Sequence, residues 1–271
     1  MRLAWLLLLA ALAALAGCTT TTTTTTSGAA PSKGDSREIR TDSDQTSAER
    51  RARVRLELAG AYLGRGQATT ALDEVKLALA ARPDMPEAYN LRGLIYATLG
   101  EAKLAEESFQ RALQLAPRDA DTMHNYGWFL CQVGRAAEAD AQFVAALAQP
   151  QYRDGQRTML AQGICQARAG RWLEAERTLS RSYELDPGNP TTAFNLSEVL
   201  YRRGEYERAR FYIQRVNAAQ DTSNAQSLWL AARVERRIGN IAGVQDFGRR
   251  LRERFPQSPE ALLFEQGRFD E

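Results

Sequence analysis

The sequence predicts an all-α fold, a solenoid of about six stacked helical hairpins closed by a C-terminal capping helix. Three observations carry that expectation. Glycine recurs at Gly66, Gly100, Gly134, Gly170, Gly204 and Gly239, at spacings of 34, 34, 36, 34 and 35 residues. Alanine stands five places after each of the first five, at Ala71, Ala105, Ala139, Ala175 and Ala209, and Val244 takes the sixth place. Proline closes most units, at Pro83, Pro117, Pro150 (one place early), Pro187 and Pro256, while the fifth unit has none. Arrays with such a period bind partners and rarely do chemistry.

Before the repeats comes a different kind of segment. Arg2 supplies a positive start, residues 3–15 are almost wholly apolar, and Leu15-Ala16-Gly17-Cys18 follows. A charged start, an apolar core and small residues before a cut site make a secretory signal over residues 1–17, too short for an ordinary membrane span. The four residues ending at Cys18 resemble the bacterial lipoprotein signal. That resemblance implies an acylated Cys18 as mature N-terminus, and Thr19 in place of an acidic residue implies export to the outer membrane. Three acyl chains would make a lasting anchor, since each buried methylene contributes about 0.8 kcal/mol. Residues 19–26 are eight threonines, and polar low-complexity sequence continues to about residue 47. With so little to bury, residues 18–48 are expected to form a disordered tether of roughly 30 Å typical reach.

Residues 49–271 hold the repeats, with unit boundaries expected near 52, 86, 120, 156, 190 and 225. Within residues 86–119, Tyr89, Gly93 and Tyr96 lie at helical spacing, Gly100 breaks the run, and a second helix carries Ala105, Phe109, Ala112 and Leu113 before Pro117. Gly93 and Ala105 are small because the two helices cross closely there. The close-packing place of the first helix reads Ala59, Gly93, Gly127, Gly163, Ser197 and Ala232 along the chain. The large place of the second reads Val75, Phe109, Phe143, Leu179 and Ile213, and then Gly248, a departure. Residues 259–271 begin with Pro259 and read as the cap. This grammar resembles the tetratricopeptide repeat family over residues 52–258, which implies a right-handed superhelix.

The chain carries 35 basic and 33 acidic residues; without Arg2 the balance is 34 against 33, or +1. Such a near-neutral chain has no general attraction to nucleic acid. Residues 201–254 nevertheless hold twelve arginines and six acids, a local +6 that fits either a solvated surface of local ion pairs or an acidic partner. Cys131 and Cys165 are one repeat apart. Stacking brings equivalent places together, so the pair fits either a disulfide in an oxidising compartment or two packed thiols.

No catalytic or metal-binding constellation emerges, and no cofactor or small-molecule substrate is expected. His124 is the sole histidine. One histidine makes neither a metal cluster nor, without a nucleophile in register, an active site. An enzyme reading therefore has little to stand on. The first helices of such an array line its concave side. Helical spacing points Asn90, Leu94, His124, Trp128, Leu160, Arg168, Phe194, Tyr201, Arg202, Trp229 and Arg233 into it. Aromatics beside arginine are the composition of protein-binding hot spots, so Asn90, His124, Trp128, Phe194, Tyr201, Arg202 and Trp229 are the expected partner-binding set. The alternative for Trp128, Phe194 and Trp229 is burial between helices.

One further resemblance sets the expected role. The segment Asn125-Tyr126-Gly127-Trp128-Phe129-Leu130-Cys131, then Gly163-Ile164-Cys165, then Gly204-Glu205-Tyr206 with Ala209-Arg210 and Tyr212, looks like the type IV pilus biogenesis and stability lipoproteins, the PilF/PilW family. The likeness extends to the signal, tether, six repeats and cysteine pair. It implies a pilotin, a lipoprotein on the periplasmic face of the outer membrane that carries or stabilises secretin subunits. A general periplasmic scaffold for cell-wall enzymes or outer-membrane protein assembly is the alternative.

Overall fold

The computed structural model describes residues 46–270; the signal segment, Cys18 and all but the end of the expected tether lie outside the described residues. Among the described residues there are thirteen helices and no strand. They pair as α1 (Ser47–Gly64) with α2 (Ala68–Ala81), α3 (Pro86–Thr98) with α4 (Ala102–Leu115), and α5 (Ala120–Gln132) with α6 (Ala136–Leu147). Then come α7 (Gly155–Arg168) with α8 (Trp172–Leu185), α9 (Pro190–Arg202) with α10 (Tyr206–Val216), and α11 (Ala225–Ile238) with α12 (Ile241–Arg254). The short α13 (Pro259–Glu265) follows.

The first helix starts at Ser47, five residues before the expected boundary. The local sequence explains it: Thr46 Oγ1 accepts from the Glu49 amide, and the Glu49 carboxylate accepts from the Thr46 amide at 2.8 Å. This reciprocal cap is a helix start signal in its own right. Later units start where their sequences put them, capped by Asp119, Asn189, Asn224 and Ser258.

The six periodic glycines all sit at positive φ, between 73° and 86°, in the turn inside each hairpin. Other residues are strained in that left-handed conformation. The second set of small residues answers a volume constraint. A Cβ added at Gly93 would lie 2.7 Å from the Phe109 ring, at Gly127 2.9 Å from Phe143, and at Gly163 2.5 Å from Leu179. Opposite Val75 and Ile213 the crossing carries Ala59 and Ser197, and Ser197 uses its hydroxyl to donate to the Ala209 carbonyl at 2.9 Å. Gly248 departs from this rule for a reason supplied by the cap. Phe264 of α13 packs directly onto it, so that a Cβ there would overlap the ring. The missing side chain of the last hairpin is thus replaced by one from outside it.

Neighbouring units are joined by a recurring ionic contact as well as by apolar packing. Glu106 accepts from Arg135 at 2.8 Å, and Asp140 from Arg171 at 3.2 Å. Glu176 pairs with Arg203 and Arg208, and Glu235, almost fully buried, accepts from Arg210 at 2.9 Å. Each pair bridges consecutive repeats from the second to the sixth. The Arg135 and Tyr126 hydrogen bonds hold the Glu106 carboxyl below its ordinary pKa. Repeat five, which lacks a closing proline, ends in a loop fixed by side chains instead. Asn217 donates to the Ser227 carbonyl at 2.9 Å and accepts from Ser223 and Ser227. Arg250 and Arg254 donate to the carbonyls of Asn217 and Gln220, both at 2.8 Å.

Consecutive first helices lie within packing distance along the whole array, α1 with α3 and so on to α9 with α11, whereas among the described residues no two consecutive second helices do. The stack therefore curves with its first helices on the inner side, the side on which the candidate binding residues fall.

Candidate functional site

The inner face is built from residues that project from α3, α5, α7, α9 and α11 at helical spacing. Asn90 and Trp128 are half-buried on it, and the Asn125 amide donates to Asn90 Oδ1 at 3.1 Å, linking α3 to α5. The exposed Arg168 of α7 lies over the Trp128 ring, 5.2 Å from its centroid. Phe194 is half-buried and Arg202 exposed, both on α9. Two cavities open beside them. One, of about 290 Å³, is lined by Ile164, Arg168, Trp172, Asn195 and Glu198. The other, of about 210 Å³, is lined by Phe194, Glu198, Trp229, Arg233 and Glu260.

Four of the expected lining residues, His124, Tyr201, Trp229 and Arg233, are buried. His124 is only 6% exposed. Its Nδ1 meets the Thr158 hydroxyl at 2.8 Å, and that hydroxyl also meets Tyr152 at 2.6 Å. Burial, with Arg157 nearby, lowers the imidazole pKa from 6.5 to about 4 against an opposing pull from Asp154, so the ring is neutral at pH 7. The Thr158 side chain is fully buried. The cluster therefore pins α5 to α7 and to the connection before it. Tyr201 is covered as well: Arg233 lies over its ring, 4.6 Å from the centroid. Trp229 is buried beneath the C-terminal residues, with Phe269 5.0 Å and Phe264 6.4 Å away between ring centroids. Arg233 is buried with them and donates to the Phe269 carbonyl at 3.0 Å. Helical spacing gives the direction of a side chain but not what lies on top of it, and here the cover comes from more than thirty residues downstream.

Cys131, near the end of α5, and Cys165 of α7 form a disulfide with Cα atoms 5.7 Å apart. The bridge lies directly behind the face, fixing the register of the two helices that carry Trp128 and Arg168. Sequence reasoning missed Trp172 and Glu198 as lining residues. Trp172 opens a second helix, α8, and so lies outside the first-helix positions that helical spacing singles out. The basic residues 201–254 resolve mostly into structural contacts. Eleven of the twelve arginines make a hydrogen bond, ion pair or ring contact, and Arg202 is the exception among the described residues. Among the described residues no group of three or more His, Cys, Asp or Glu side chains is placed to hold a metal. No helix of the described residues is long and apolar enough to cross a membrane.

What this geometry offers is a surface of aromatics and arginines on a rigid scaffold, suited to holding a polypeptide. Comparison with known proteins agrees. Tetratricopeptide repeat models match residues 86–119, 130–190 and 166–233. The solved structure of PilW, a widely conserved type IV pilus biogenesis factor, is 30% identical and superposes with a TM-score of 0.73, over 78% of this chain and 96% of that one. The chain belongs to this family of tetratricopeptide-repeat type IV pilus biogenesis factors. A further relative comes from Pseudomonas aeruginosa. The type IV pilus assembly protein PilF is 28% identical over 234 residues, covering 86% of this chain and 91% of the relative. The solved structure of P. aeruginosa PilF is 25% identical with a TM-score of 0.72, over 82% of this chain and all of that one. The PilF/PilW likeness covers 78–86% of this chain.

Proposed function

We propose that this protein is a pilotin: an outer-membrane lipoprotein scaffold that binds secretin subunits and promotes their localisation and multimerisation for type IV pilus biogenesis. The observation that carries the reading is family membership over most of the chain, joined to a sequence that carries Leu15-Ala16-Gly17-Cys18 at the end of its apolar start. The scaffold has no catalytic task of its own here. Acylation at Cys18 commits a bound secretin subunit to the membrane, and confinement there raises the effective concentration for assembly. We read the residues between Cys18 and α1 as the tether by which the repeats hold a subunit at a distance from the bilayer.

The test is secretin multimer abundance in outer-membrane fractions of wild type, deletion and Cys18→Ala strains. Loss of multimers on deletion, with secretin monomers left in the inner membrane for Cys18→Ala, is the expected result. Unchanged multimers in both strains would refute it.

A further inference from the structure

The chain lays its own C-terminal residues on one of its first helices. Beyond α13, the chain turns at Gly267 (φ 67°) and returns to α11. There the Phe269 ring packs on Trp229. The Phe269 carbonyl accepts from Arg233, and the Asp270 carboxylate accepts from Arg237 Nη2 at 2.8 Å. A ring, a main-chain carbonyl and a carboxylate are thus held by Trp229, Arg233 and Arg237, three side chains four residues apart on one face of a helix.

Counted from the close-packing position, the same three places on α9 are Phe194, Glu198 and Arg202, and on α7 Leu160, Ile164 and Arg168. Three successive first helices therefore end in an arginine at the same register. The last has its carboxylate. Arg168 and Arg202 are exposed, and among the described residues neither has an ion pair, although Arg168 rests on Trp128.

We propose that the α7–α9 face binds an extended acidic segment of a partner protein as α11 holds residues 269–270, with apolar side chains on Phe194 and Leu160 and carboxylates on Arg202 and Arg168. Neighbouring helix axes lie roughly 8–10 Å apart and an extended chain advances about 3.3–3.6 Å per residue, so an acid at every third position meets successive arginines. Glu198 replaces Arg233 between them. It accepts a main-chain N–H of the guest and repels a continuous polyanion, which favours spaced carboxylates over nucleic acid or an anionic lipid surface. The inference names a surface and its chemistry; it does not depend on the partner being a secretin.

The test uses the full chain and a fluorescein-labelled (Phe-Asp-Gly)4 peptide, followed by anisotropy. Saturable binding that weakens with salt is expected. It should fall by about tenfold or more in Arg168→Glu/Arg202→Glu and with a (Phe-Asn-Gly)4 peptide, and persist in Arg181→Glu, which alters an exposed arginine of α8. Circular dichroism checks the fold of each variant, and Arg168→Gln/Arg202→Gln supplies the same readout if charge reversal unfolds the chain. Absence of binding, or binding indifferent to Arg168 and Arg202, overturns the proposal. So does arginine-dependent binding to phosphatidylglycerol vesicles by a protein that ignores the peptide. Secretin multimers are read separately in cells, so a failure of peptide binding and a failure of the pilotin reading are distinguishable.

Discussion

The faces of α9 and α11 present side chains in the same register and meet different fates. On α11, Trp229 and Arg233 are buried under Phe264 and Phe269, and Arg237 holds Asp270. On α9, Phe194 is half-buried and Arg202 is exposed. The difference teaches why an array must end. Each first helix is a sticky surface, made so by the aromatics and long side chains that fill the hairpin behind it. The α9 face keeps part of that surface open, while α11 is covered by α13 and the residues after it. The cap is therefore a terminator and an internal example of what the surface accepts.

Breaking the disulfide should have the largest effect, and on the open side only. Closing a loop of 34 residues stabilises by about 3–4 kcal/mol on chain-entropy grounds. Cys131→Ser/Cys165→Ser is expected to raise hydrogen exchange across α5 to α7 and to leave α11 and α12 protected; uniform loss along the array would show that the two faces are not independent. Phe264→Ala should do the reverse. Removing a ring packed on Gly248 and Trp229 costs about 3 kcal/mol and loosens α11 and α12, read again by exchange.

A third effect separates the regions by pH. His124 has a folded pKa of about 4 against an ordinary 6.5, so as pH falls the unfolded chain takes its proton first. The contribution is present above pH 6.5 and is lost between about 6.5 and 4, roughly 3 kcal/mol in all. Comparing urea unfolding at pH 7 and pH 4.5, His124→Asn should lose less stability than wild type, with the change confined to α5–α7. The smallest effect belongs to Asp270→Ala. Its ion pair with Arg237 is exposed, worth about 0.5 kcal/mol or less in stability. The variant should keep its melting temperature and bind more of the acidic peptide, because Arg237 loses its carboxylate and keeps only the Tyr201 hydroxyl.

The repeats were legible because their constraints are local. Positive-φ turns require Gly66 through Gly239, and the ring at Phe109 or Phe143 requires a glycine opposite it in the same hairpin. The same local grammar marked Gly248 as odd but could not say why, since the filler, Phe264, arrives from another element. The site was legible in outline only. The direction of Phe194 and Arg202 follows from helical spacing, whereas the burial of His124, Tyr201 and Trp229 depends on Tyr152, Arg233 and residues 264–269, which no periodicity connects to them. The inter-repeat pairs of Glu106, Asp140 and Glu176 had a signal that spacing alone could have revealed, an acid just after the periodic alanine of repeats two, three and four.

The measurement that bears most directly on the account is photo-crosslinking in cells, with a benzophenone amino acid at Phe194 on the inner face and, separately, at the exposed Leu77 of α2. The account predicts a secretin adduct from position 194 and none from position 77. Adducts from position 77 alone, or no secretin adduct from either, would contradict it.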